Sequence, residues 1–201
     1  MIGMPDTIPL FPIAAVLFPR GRMPLKILEP RYLDLVSSCL KRDVGFGVVH
    51  LQEGHEVNTV VSESGTKFAT IGTYAKIIDF DSSSDGTLRT TIEGRSKFQI
   101  LSSWQEKDLL YRAEIKWIDD EETFPLPESF SELNVLLSQL MEHPELQQLN
   151  FEAQVTDAST LSFLLSQFLP INTTTQYDYL CFEEPLTRLK KISQYLDEIS
   201  S

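Results

Sequence analysis

Apolar and polar positions alternate along much of residues 7–120, and apolar positions recur every three or four residues from about 127 onward. Period two marks a strand with one buried face, and period 3.6 marks an amphipathic helix. In the first part, Ile8 to Phe11 and Ala14 to Phe18 are short apolar runs. A Gly-containing turn over Pro19 to Arg22 leads into a further strand, Met23 to Leu28. Prolines 9, 12, 19 and 24 suit strand edges, bulges and starts, because proline cannot donate to a central ladder. One helix is predicted over Pro30 to Arg42. Proline fits its first turn, and Tyr32, Leu33, Val36, Cys39 and Leu40 recur at helical spacing. Lys41 and Arg42 complement the dipole of its last turn, and Gly45 follows.

Val44 to Leu51 returns to strand character, and Gln52 to Lys67 reads as a polar loop with a short strand around Val57 to Val61. Phe68 to Phe80 is predicted as one long strand. Asp85–Gly86 is a hairpin signal, with Leu88, Thr90 and Ile92 alternating on the return. Gly94 and Arg95 predict another turn into Lys97 to Leu101, and Tyr111, Ala113, Ile115 and Trp117 alternate against Arg112, Glu114 and Lys116. Many short strands with turns between them indicate a barrel-like or sandwiched sheet, mostly antiparallel.

The acidic run Asp119 to Glu122, followed by Pro125 and Pro127, marks a change of period. One helical stripe comprises Phe130, Leu133, Leu136, Leu137, Leu140 and Met141. A second comprises Leu161, Leu164, Leu165 and Phe168, capped by Thr156 or Asp157 and stopped by Pro170. Thr173 to Phe182 predicts a short helix, and Leu186, Leu189, Ile192, Leu196 and Ile199 a last one begun by Pro185. The pattern is α+β, with a β domain over 1–122 and a helical subdomain over 123–201.

Charge narrows the functions. The 201 residues include 29 acidic and 17 basic side chains, a net charge of −12, with no Lys/Arg run. Such a field opposes phosphate backbones and anionic lipid heads, so neither nucleic acid nor membrane is an expected partner. The apolar stretch from Ile8 to Phe18 is too short to span a bilayer, and no positive segment precedes it, which points to the cytoplasm. The two cysteines, Cys39 and Cys181, are expected as reduced core thiols.

Catalytic constellations are missing from the pattern. His50, His55 and His143 have no zinc-finger or His-Glu-x-x-His spacing, and no phosphate-cradling Gly-x-x-x-x-Gly-Lys loop or Gly-x-Ser-x-Gly elbow occurs. The Gly45-x-Gly47 pair lies in a strand with no helix behind it. Glu121–Glu122 and Glu183–Glu184 read as solvated faces or helix starts. Neither cofactor nor metal is expected. Two features exceed what a plain core requires. From Pro9 to Pro19 the chain is unusually dense in large apolar groups, with Phe11, Leu17 and Phe18 as candidate peptide contacts. Glu29-Pro30-Arg31-Tyr32 sets charges at the helix start, where an ion pair or hydrogen bond fastening helix to sheet is expected.

These two features also carry a resemblance. Ile8 to Val36, "IPLFPIAAVLFPRGRMPLKILEPRYLDLV", resembles the opening signature of the Lon protease N-terminal domain, with Leu28 in place of the common Phe and Arg20 before Gly21. The similarity continues through "FGVVHL" (Phe46 to Leu51), Ile71 to Leu101 and Tyr111 to Glu121. Family members there place a Gly-Thr strand, an Asp-Gly hairpin and a Gly-Arg-x-x-Phe turn, here carrying Gly72, Gly94 and Arg95. Glu29, Arg31 and Tyr32 complete the matched signature. The resemblance implies a PUA-like β pseudobarrel with one inserted helix and a following helical bundle. It also implies a non-catalytic module that takes unfolded or extended polypeptide, without the motor and peptidase. Such a module either delivers clients to a protease or acts alone like a chaperone, and self-association is compatible with it. The alternative from the same fold type is RNA binding, which the acidic balance opposes.

Overall fold

The computed structural model describes residues 5–51, 59–61, 67–82, 87–151 and 155–200. His55 and the Asp85–Gly86 turn lie outside the described residues, as does part of the loop expected over 52–67. The chain divides into two compact units between Asp119 and Asp120.

The first unit holds a six-stranded sheet built from β1 (Thr7–Ile13), β2 (Arg22–Ile27), β3 (Phe46–His50), β6 (Ile71–Ser82), β7 (Leu88–Gln105) and β8 (Tyr111–Trp117). A separate two-stranded ladder pairs β4 (Thr59–Val61) with β5 (Lys67–Ala69). The sheet order is β2-β7-β6-β3-β1-β8, and β8 also pairs back onto β7. Five strands thus close a ring, with β2 attached outside it. All pairings are antiparallel except β1 with β3. Three register shifts, between Thr73 and Ala75, Ile77 and Asp79, and Ile100 and Ser102, bend the long strands as ring closure requires.

Helix α1 spans Pro30–Arg42, as the periodicity predicts, with Pro30 in its first turn and Lys41 and Arg42 in its last. Its buried face is Tyr32, Leu35, Val36 and Cys39; Leu40, counted on the apolar stripe, is 39% exposed instead. That face joins Phe11, Ile27, Phe46 and Ile92 in one core cluster. A second cluster gathers Ile8, Leu10, Phe68, Phe98 and Ile115.

The structure departs from the expected strands in three places. Ala14 to Phe18 is not a strand but an irregular segment, and Val16, Leu17 and Phe18 are nevertheless buried. The stretch expected as one strand from Phe68 is broken at Thr70 into β5 and β6. Most instructive is Gly94, where a turn is expected. β7 continues through it for 18 residues, with a register shift against β6 beside it. A Cβ at Gly94 would collide with the Phe18 carbonyl. Arg20 N–H donates to the Gly94 carbonyl at 2.7 Å, and Gly94 N–H donates to the Gly21 carbonyl at 2.9 Å. The glycine therefore lets a crossing segment touch the strand backbone and does not reverse the chain. Gly72 serves the same end, its absent side chain leaving room for the Phe98 ring, 2.5 Å from where a Cβ would sit.

The second unit contains a 3-10 turn (Glu128–Phe130), α2 (Ser131–Met141), a short α3 (Pro144–Gln147), α4 (Ala158–Phe168), α5 (Thr173–Cys181) and α6 (Pro185–Ile199). Among the described residues it adds no strand to the sheet. Asp157 caps α4, its carboxylate accepting from Thr160 N–H at 2.8 Å and from the Thr160 hydroxyl at 2.7 Å. α4 is buried almost all round and packs against α2, α5 and α6. Its Ser162 and Ser166 hydroxyls are satisfied by carbonyls of the preceding turn, which makes their burial tolerable. Glu121 is not solvated as the acidic run suggests: its side chain is almost fully buried against Arg188. Cys181 is only half-buried, unlike the core thiol Cys39.

Candidate functional site

The first unit carries an open groove of about 450 Å³ beside the start of α1. β1 contributes Phe11 and Pro12, and the end of β2 contributes Lys26, Ile27 and Leu28. The α1 start contributes Glu29, Arg31 and Tyr32; Leu51 and Tyr111 complete the lining. Phe11 and Tyr32 pack with ring centroids 4.3 Å apart, and Phe11 also meets Phe46 at 5.7 Å, so the lining aromatics are continuous with the core. Burial pushes the Tyr32 hydroxyl up from its ordinary pKa, only partly offset by neighbouring Arg31, so it stays a neutral donor.

Arg31 organises the rim. Its guanidinium lies 4.7 Å from the Tyr32 ring centroid, donates to the Leu109 carbonyl at 2.8 Å and pairs with Glu29 at 2.7 Å. Its Nε is out of solvent and has no hydrogen-bond partner among the described residues. The expected tie between helix start and sheet therefore exists, through Arg31 to the β7–β8 connection. The Glu29 half of it is a surface feature, the carboxylate side chain being 58% exposed, so it lacks the weight of a buried pair. Leu109, held by this contact, has φ +66°, a left-handed backbone that bulky residues rarely adopt.

Of the candidate peptide contacts, Phe11 lines the groove. Leu17 and Phe18 are 2% and 0% exposed and belong to the core, so they present no surface to a ligand. Glu29, Arg31 and Tyr32 come together at the groove. Gly72 and Gly94 are packing positions within the ring, and Arg95 pairs with Glu93 at 2.9 Å on its flank. Nothing in the sequence marks Lys26, Leu51 or Tyr111 as groove residues. Their common neighbourhood arises from strands far apart in the chain, and no local spacing announces it. Among the described residues no group of His, Cys, Asp and Glu is arranged to hold a metal. Cys39 is no nucleophile, because burial pushes its thiol up to about 11 against the lesser opposite pull of Arg42.

A small strand ring with an aromatic-lined open groove is the frame of a ligand-binding module. The family profile described as the ATP-dependent protease La (LON) substrate-binding domain matches residues 7–198, and the chain belongs to that family. Among solved structures, a Lon N-terminal domain protein from Xanthomonas campestris superposes with a TM-score of 0.73 at 25% identity, covering 94% of this chain and 98% of that one. The N-terminal domain of a Mycobacterium avium complex Lon protease shares the fold, with a TM-score of 0.62 at 13% identity over 94% and 97% of the two chains. A search of curated proteins returns no match. No described helix is long and apolar enough to cross a membrane.

Proposed function

We propose that this protein is a non-catalytic, cytoplasmic polypeptide-binding module of PUA-like pseudobarrel architecture, whose helical half forms a bundle. We propose further that it takes unfolded or extended segments in the groove beside Phe11 and Tyr32. The observation that carries this reading is the groove itself: an open, aromatic-lined depression in a chain whose family is defined by substrate binding. The ring closure from β7 to β8 supports the pseudobarrel assignment. Apolar lining with a few polar groups suits side chains of an extended chain, which supply apolar contact and main-chain hydrogen bonds together. A net charge of −12 argues against a phosphate-bearing ligand. A protease or a chaperone is the natural recipient of a client so held.

Fluorescence anisotropy with a reduced, denatured protein and with a structured RNA, each at low and moderate salt, tests the reading. Binding of the denatured protein that is weakened by Leu28→Asp at the rim is the expected result. RNA binding that collapses as salt rises, without binding of denatured protein, overturns it, since each phosphate contact adds steeply to salt dependence.

A further inference from the structure

We infer that the groove is an open seam between β1 of the strand ring and the edge strand β2, and that its occupant is an extended segment added as a strand to β2, with a large apolar side chain in the groove and an acidic one against Lys26. This rests on the polypeptide-binding reading above and specifies what kind of segment is bound.

The seam follows from the pairing. β1 is held by β8 over Thr7–Leu10 and by β3 over Leu10–Ile13. Beyond Leu10, β1 therefore has a strand partner on one side only among the described residues. β2 pairs with β7 and, among the described residues, with no strand on its other side. The groove lies between these two half-partnered edges, with Phe11 and Pro12 from one and Lys26, Ile27 and Leu28 from the other.

The two edges differ in what they offer. Gly94 N–H donates to the Gly21 carbonyl, and the β2–β7 register continues from that point as Arg22↔Glu93 through Ile27↔Leu88. Strand alternation then turns the amides of Met23, Leu25 and Ile27 toward β7 and those of Arg22, Pro24 and Lys26 away from it. Pro24 agrees with this phase, because a proline in the inner row would leave a gap in the ladder. On the other wall, Leu51 N–H donates to the Ile13 carbonyl, so Ile13 faces β3 and Pro12 faces the seam. Pro12 can accept but not donate. The edge with both donor and acceptor is that of β2 at Lys26.

Charge selects the occupant. Lys26 is exposed and has no ion-pair partner among the described residues. Arg31 and the one lining carboxylate, Glu29, offset each other as an ion pair, so Lys26 leaves the lining with one net positive charge. The rim is therefore locally positive in a strongly acidic protein. Apolar surface lies next to it: Leu28 at the groove is 63% exposed, and Leu109, fixed by Arg31, is 58% exposed. An apolar residue beside an acidic one matches both features.

The test uses the full chain and fluorescein-labelled peptides of about ten residues, the upper length of a common strand. The parent alternates apolar residues around a central Asp. Further arms replace that Asp by Asn or by Lys, or N-methylate alternate backbone amides in one row or the other. Anisotropy should show the Asn peptide weaker by about two- to fivefold, the range for one exposed ion pair. In K26E, an exposed site where thermal melting confirms folding, the order of the Asp and Lys peptides should invert. N-methylation of the row facing β2 should cost roughly tenfold and of the other row little. Equal binding of all peptides, unchanged in K26E, overturns the inference while leaving the polypeptide reading standing. Binding of denatured protein but of none of the peptides also overturns it. Failure of both peptides and denatured protein overturns both. Concentration-dependent dimerisation that masks Lys26 from the peptides assigns the seam to a second copy and overturns it as well.

Discussion

Arg188 and Glu121 are 67 positions apart and form a two-pronged ion pair, Nη2 to Oε1 at 2.6 Å and Nη1 to Oε2 at 3.1 Å. Both side chains are buried, at 0% and 3% exposure. The remaining donors of Arg188 are taken by the Tyr179 carbonyl at 2.8 Å, the Ser162 hydroxyl at 2.8 Å and the Phe182 carbonyl at 2.7 Å. The guanidinium also lies 4.3 Å from the centroid of the Phe163 ring. All five guanidinium N–H groups are thereby used, which is what allows a charge to sit in the core of the helical unit.

Glu121→Ala leaves that guanidinium buried without its counter-charge and should destabilise the helical unit by about 3–5 kcal/mol. Replacing both partners with apolar residues, Glu121→Leu with Arg188→Met, should recover much of the loss. Urea unfolding of the single and double variants decides this. Equal loss in both would show that the pair's stabilisation does not depend on mutual compensation.

At the groove the scale is different. Glu29→Ala removes a solvent-exposed partner and should cost under about 1 kcal/mol. Arg31→Ala also frees the Leu109 carbonyl and uncovers the Tyr32 ring, so its cost should be larger, about 1–3 kcal/mol. Unfolding midpoints of the two variants give the comparison, and the reverse order would contradict the assignment of Arg31 as the anchor.

Gly94→Ala sets a methyl group against the Phe18 carbonyl, a backbone group that has no side-chain freedom to yield. A loss of about 1–3 kcal/mol is expected, measured by thermal melting. An unchanged melting temperature would mean that the crossing segment relaxes freely.

The Cys39 thiol is raised from 9.0 to about 11 by burial. The folded state therefore holds its proton where the unfolded chain releases it. This contribution to stability is fully present below about pH 9 and is lost as pH rises from 9 toward 11. Cys39→Ala should flatten the stability–pH curve in that window, and a thiol reagent at neutral pH should modify half-buried Cys181 before Cys39.

The elements legible in the sequence are those whose cause is local. Pro30 and the apolar spacing mark α1, alternation marks β8, and Asp157 marks the start of α4. What escaped is set by contacts distant in sequence. Gly94 looks like a turn because glycine serves turns and close approaches alike, and only the arrival of Phe18 distinguishes them. Leu17 and Phe18 look like a binding surface because an apolar run does not reveal which side is covered. Glu121 looks solvated because its partner lies on the last helix. Phe11, Tyr32 and the charged helix start announce part of the groove, while Lys26, Leu51 and Tyr111 join it only through the sheet order.

That order also sets a timetable. β1 takes one neighbour from residues Tyr111 to Glu114, so a strand near the start of the unit waits for the unit's last strand before its ladder is complete. At roughly 5–20 residues per second of synthesis, the wait is about 5–20 seconds. During that interval Ile8, Leu10 and Phe11 belong to an apolar edge without its final partner, and a ribosome-bound chain stopped short of β8 is a candidate for aggregation or chaperone capture. A member of a substrate-binding family thus passes through a stage in which it exposes an apolar edge of its own.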